Sequence, residues 1–215
     1  MNQSAAEFIG TALLVCTVVG SGIMGSQLSL DLGIVLLINA LAAILVLALL
    51  ILILSPISGA QLNPVVSLAL LLERRISAKQ GWAFLGIQIA GAIAGAIVAN
   101  IMFRDQLLIE ISTNQRFTAG TFLGEIIATA GLIFLVLILL KRNQAEVITL
   151  AVPAWIGAAY FFTSSTSFAN PAVTIGRIFT DSFSGIAPAS VLPYIFAQFI
   201  GATIGIALSK GVKSE

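Results

Sequence analysis

Six long apolar runs dominate the chain, at 5–25, 33–54, 80–103, 119–140, 146–164 and 190–209. A helix needs roughly 20 residues to cross about 30 Å of hydrocarbon, so six transmembrane helices are predicted. Two further apolar stretches, behind Asn63-Pro64 and Asn170-Pro171, last only one or two turns and are too short to cross. In both, Asn is a strong N-cap, and Pro fits the first helical position, whose N–H has no intrahelical partner. Each motif therefore starts a short helix sharply. The segments ahead of them, LSPISGAQL and TSSTSFA, are predicted to be non-helical. Lipid leaves unpaired backbone unsatisfied, so these segments must be buried in protein or line a water-filled cavity.

The runs also repeat. A glutamate opens the first in AAEFIGTALL (Glu7) and the fourth in LGEIIATAGL (Glu125), 118 residues later. Asn-Pro recurs after 107 residues, and QIAGAIAG from Gln88 returns as QFIGATIG from Gln198 after 110. Three runs per half is an odd number, so the second copy must enter the membrane from the opposite side. The expectation is a single domain over 1–215 with inverted halves of about 1–110 and 111–215. Such a repeat brings the two short helices to the midplane N-terminus to N-terminus. Two positive dipole ends and two Asn amides then converge on a polar path. One Asn-Pro pair alone would suit a helix lying on the surface; two in matching places favour the midplane. Gly91, Gly95, Gly201 and Gly205 form small-xxx-small faces for close helix packing.

Composition narrows the class. Of 215 residues 59% are hydrophobic and 9% charged, against about 25% charged in a soluble domain, so an all-α integral membrane protein is expected. A net charge of +1 with ten scattered Lys and Arg offers no patch for nucleic acid. Histidine is absent and Cys16 stands alone, which removes most transition-metal sites, imidazole catalysis and any intramolecular disulfide. No metal, cofactor or enzymatic activity is expected. Cys16 reads as a packing residue within an apolar run. No basic stretch precedes the first run, which is expected to be a retained span rather than a cleaved leader.

Lys and Arg set the expected orientation. Arg74, Arg75, Lys79, Lys141, Arg142, Lys210 and Lys213 fall on one side, and Arg104, Arg116 and Arg177 on the other. The excess predicts both termini in the cytoplasm, in a plasma or inner membrane.

With Glu7, ISGAQLNPVVS, Gln88, Glu125, SFANPAVTIGR and Gln198 in this order, the whole chain resembles the major intrinsic protein family, the aquaporins and aquaglyceroporins. The resemblance implies an aquaporin-like fold of six tilted helices plus two re-entrant half-helices, a pore in each protomer and a homotetramer. It implies passive, bidirectional permeation of water and small neutral solutes without a cofactor. Asn63 and Asn170, with Pro64, Val65, Pro171 and Ala172, match the paired pore motifs, whose asparagines donate to a passing oxygen. Glu7 and Glu125 match the glutamates that hold the loops ahead of the half-helices; on position alone, Glu7 also suits an interfacial carboxylate.

The chain departs from the family at Val65, where Ala is usual, and at the outer constriction. Family spacing places its four positions at Ala43, Ala158, Ser167 and Val173, leaving no aromatic, His or Arg. Thr174 stands where glycerol facilitators have Asp. A wide, weakly polar mouth is expected, passing water together with small polyols, urea-like amides or undissociated metalloid hydroxides such as arsenous acid and its methylated forms. Arg177 lies one turn beyond Val173 on the same helical face, so its long side chain is expected either to lean toward the mouth or to sit at the rim in solvent or beside Asp181. A secondary transporter with broken helices and a non-conducting scaffold remain the alternatives.

Overall fold

A computed structural model of the protein describes residues 1–103 and 109–212. Arg104 and Lys213, both counted for orientation, lie outside the described residues. The described residues form eight α-helices in order: α1 (Gln3–Leu28), α2 (Leu32–Ser58), α3 (Pro64–Leu72), α4 (Ala78–Phe103), α5 (Ala119–Lys141), α6 (Ile148–Phe162), α7 (Pro171–Gly176) and α8 (Pro188–Gly211). Short 3-10 turns, Ala145–Val147 and Arg177–Phe179, lead into α6 and continue α7. All regular structure among the described residues is helical, and six helices are long and apolar enough to cross a membrane.

Capping chemistry sets several boundaries. The Asp31 carboxylate accepts from the Gly33 and Ile34 N–H groups at the start of α2. Thr118 and Thr121 cap one another's backbone at the start of α5. One boundary departs from expectation: LSPIS is helical, and α2 ends only at Gly59, whose φ of 88° is open to glycine at no steric cost. Pro56 lies in the last turn, so the one ladder bond that its missing N–H removes falls at the helix end, and the Ser55 hydroxyl donates to the Ile51 carbonyl at 2.6 Å.

Backbones approach closely where the glycines repeat. A Cβ on Gly91 would sit 2.5 Å from the Phe8 carbonyl oxygen of α1, and one on Gly201 would sit 2.5 Å from that of Ile126 on α5. Gly95 and Gly205 meet the Ala12 and Ala130 carbonyls in the same manner. Helix α4 thus seats on α1, and α8 on α5, through surfaces without side chains. Elsewhere the outer surface is apolar. Leu37, Leu41, Leu45, Leu49 and Leu52 of α2 are exposed at helical spacing, as a lipid-facing stripe requires.

Candidate functional site

The half-helices α3 and α7 meet at their N-termini. The Asn63 side chain caps α3 by accepting from the Val65 N–H (3.1 Å), and Asn170 caps α7 by accepting from Ala172 (3.0 Å) and Val173 (3.2 Å). Each amide then crosses to the other half: Asn63 Nδ2 donates to the Ala169 carbonyl and Asn170 Nδ2 to that of Leu62, both at 2.8 Å. An Asn amide carries two N–H donors. One N–H of each is therefore spent on the opposing loop, and the second remains for an occupant of the cavity that both residues line.

Two buried glutamates shape the loops ahead of these caps. Glu7 accepts from the Gln61 N–H (3.0 Å), the Leu62 N–H (2.7 Å), the Ser58 hydroxyl (2.6 Å) and Gln88 Nε2 (2.8 Å). Glu125 accepts from the Phe168 and Ala169 N–H groups, both at 2.9 Å, and from Gln198 Nε2 at 2.6 Å. Each glutamine also donates at 2.9 Å to a half-helix hydroxyl, Gln88 to Ser67 and Gln198 to Thr174.

In a trans peptide the carbonyl points opposite to the next residue's N–H. Aiming the Gln61 and Leu62 N–H groups at Glu7 therefore turns the Ala60 and Gln61 carbonyls away from it. On the other side the Ser167 and Phe168 carbonyls turn away from Glu125. All four of these residues line the cavity. This geometry requires left-handed backbone at Ala60 (φ 46°), Leu62 (49°), Ser167 (52°) and Ala169 (45°), at a cost of about 1–2 kcal/mol each. Bonds to a carboxylate, worth about 1.5–3 kcal/mol each, offset that strain.

The cavity itself holds about 370 Å³. One wall is the two loops; the facing wall is apolar, built from α1, α2, α5 and α6. On α6 the lining residues Ile148, Val152, Ile156 and Tyr160 recur every fourth position, a length of about 18 Å at 1.5 Å per residue. Because α3 and α7 diverge from a common centre, Arg75 and Ile76 border one end and Phe168 and Arg177 the other.

Ala43, Ser167 and Val173 line this cavity. Ala158 does not, and family spacing misplaces the α6 position: Ala158 is exposed on the outer face, about half a turn from the lining stripe of Ile156 and Tyr160. Nor does Arg177 sit in solvent at the rim. It is 3% exposed, its Nε donates to the Ser184 carbonyl, and its Cζ lies 3.5 Å from the centre of the Phe168 ring. Asp181 accepts from the Thr113 N–H at 2.9 Å. Arg116, whose pKa burial pulls below the usual arginine value, lies 5.5 Å from the same Phe168 ring. Sequence reasoning missed Phe168 and Tyr160, which bring aromatic surface to this end, and Asn39 and Ser184, which lie behind Arg177. The only hint was their placement inside otherwise apolar runs or beside the second motif.

The described residues hold no group of three His, Cys, Asp or Glu suited to a metal ion. The family model described as Major intrinsic protein matches residues 1–169. The chain belongs to the major intrinsic protein family. Within that family it is 41% identical over 97% of its length to aquaglyceroporin AqpS of Rhizobium meliloti, covering 89% of that protein. It is 30% identical over 85% of its length to aquaporin C of Dictyostelium discoideum, covering 71%. Among solved structures, the aquaglyceroporin from Plasmodium falciparum superposes with a TM-score of 0.73 at 22% identity, over 98% of this chain and 95% of that one. Membership of the major intrinsic proteins makes this an integral membrane channel for water and small solutes, with an aquaporin fold, and not an enzyme.

Proposed function

We propose that the protein is a passive channel whose solutes include small polyols, urea-like amides and undissociated metalloid hydroxides such as arsenous acid, besides water. The observation that carries this reading is the pair of asparagine amides. Each spends one N–H on the opposing loop and keeps one for the cavity, beside loop carbonyls and opposite an apolar wall. A neutral solute with several oxygens finds donors and acceptors on one side there and hydrocarbon on the other. The relative from Rhizobium meliloti, 41% identical, is an aquaglyceroporin, which agrees with this choice of solutes.

In this reading Asn63 and Asn170, seated by Pro64, Val65, Pro171 and Ala172, are the central donors, and Glu7 and Glu125 hold the loops. Ala43, Ser167 and Val173 border the outer mouth, with Ile156 and Tyr160 in the place expected for Ala158. The chain is one channel domain of two inverted halves, about 1–110 and 111–215. It assembles as a homotetramer in a plasma or inner membrane, with both termini in the cytoplasm as the Lys and Arg distribution favours.

Stopped-flow light scattering on proteoliposomes tests the reading, comparing water, glycerol, urea and arsenous acid. Flux of water and of at least one of the three solutes, without any imposed ion gradient, is expected. A requirement for a coupling ion would instead establish a secondary transporter, and no flux from intact tetramers would establish a scaffold.

A further inference from the structure

The outer end of the cavity carries a guanidinium that does not come from position 173. Val173 supplies neither donor nor charge, yet Arg177 borders the same cavity, buried and stacked on Phe168. An arginine has five N–H donors. Among the described residues, only its Nε has a protein acceptor, the Ser184 carbonyl. Its terminal nitrogens are left to the cavity, alongside the Ser167 hydroxyl, which is buried and has no partner of its own.

The platform under this guanidinium is rigid. Phe168 is fixed by its N–H bond to Glu125 and by edge-on packing against Tyr194, with ring centres 5.1 Å apart. Ser184 is fixed from behind. Its hydroxyl donates to the Val18 carbonyl of α1 at 2.8 Å. Asn39 of α2 donates to that same carbonyl at 2.7 Å and to the Ser21 hydroxyl at 2.9 Å, and it lies 3.4 Å from the Ser184 hydroxyl. A side chain at Gly22 would strike Ser184, so α1 leaves room for this contact. Asn39 and Ser184 are themselves buried and neither lines the cavity. Two polar side chains enclosed in apolar helices are costly unless hydrogen-bonded, and the bonds they make here hold in place the residue whose carbonyl orients Arg177.

We propose that Arg177 is the selectivity-determining cation of the outer mouth, displaced one helical turn from position 173, and that Asn39 and Ser184 are its positioning residues. A guanidinium beside a narrow aqueous path repels cations and supplies donors to a passing solute. Held over the Phe168 ring at the cavity wall, it does so without filling the bore. The proposal rests on the channel reading, and the bland alternative is an arginine that merely ties the loop after α7 to Phe168.

Proteoliposomes separate the two. Wild-type protein, Arg177→Gln, Arg177→Lys and Asn39→Leu are compared for water and glycerol flux by light scattering. Proton and sodium leak under an imposed potential is followed with internal dyes. Cation leak per unit of water flux is expected to rise roughly ten-fold in Arg177→Gln. Arg177→Lys, which keeps the charge and loses the planar stack, should keep most cation rejection and change the glycerol-to-water ratio. Asn39→Leu, remote from the cavity, should move leak in the same direction as Arg177→Gln but less far. Leak and solute ratio at wild-type values in a conducting Arg177→Gln protein would overturn the proposal. If that variant does not fold, unchanged values in both Arg177→Lys and Asn39→Leu overturn it equally. Unchanged values in Asn39→Leu alone remove the positioning role. A wild-type protein that passes neither water nor solute removes the channel reading itself, before any variant is compared.

Discussion

Glu7 meets four donors with its two oxygens, two of them backbone N–H groups that have no other partner in the loop. Changing Glu7 to Gln keeps the shape and turns one end of the side chain into a donor facing donors. Glu7→Gln is expected to cost about 2–4 kcal/mol, read as a lower thermal midpoint of the detergent-solubilised protein. Glu125→Gln should behave alike, because Phe168 and Ala169 lose the same acceptor. At the cap, Asn170→Ala removes about 1 kcal/mol of helix-start stability and one cavity donor together, so water flux should fall even where folded protein is recovered. Val173 tests the width of the mouth. Val173→Arg would bring a second long cation to the wall that Arg177 already borders. Glycerol flux is expected to drop several times more than water flux in the same light-scattering assay.

At the scale of helices, the glycine seams decide how near α4 comes to α1. A side chain at Gly95 meets the Ala12 backbone, which cannot swing aside as a side-chain tip would. Gly95→Val should therefore cost about 1–3 kcal/mol or abolish folding. Gly86, on the same helix, has open space around it, and Gly86→Ala should be neutral or stabilising by up to about 1 kcal/mol. Thermal melts of the two variants side by side check both. These seams were legible in the sequence because glycine four apart on an apolar helix has few other uses. The Asn-Pro caps were legible from capping chemistry, whereas the loop-holding role of Glu7 and Glu125 was legible only through the family resemblance. Helix ends were less so: LSPISGAQL reads as non-helical throughout, and only the fold reveals that its first five residues, Pro56 among them, complete α2. The outer mouth was least legible. Family spacing carried across α6 ran into its outer face at Ala158, since a slip of two residues turns a helix by about 200°. Asn39 depends on Ser184, 145 residues away, and Phe168 takes its role from Arg177 and Glu125 on other elements, which no local pattern encodes.

For the molecule as a whole, the amides of Asn63 and Asn170 are the stitch between halves, each bonded to a carbonyl more than a hundred residues distant. Neither loop closes on its own half alone. Fragments 1–110 and 111–215 are therefore expected to conduct no water separately and to conduct when made together, measured as flux into vesicles carrying one or both. In synthesis this reciprocity becomes a delay. The partner carbonyl of Asn63 belongs to a residue 106 positions later. At about 5–20 residues per second the ribosome supplies it roughly 5–20 s after the asparagine itself. Late in that interval, once α4 has been made, three spans surround a half-helix whose capping amide still lacks its partner carbonyl. The nascent chain is then most open to chaperone contact or to proteolysis, and a slow codon cluster between the halves would lengthen the exposure without altering a single residue of the finished pore.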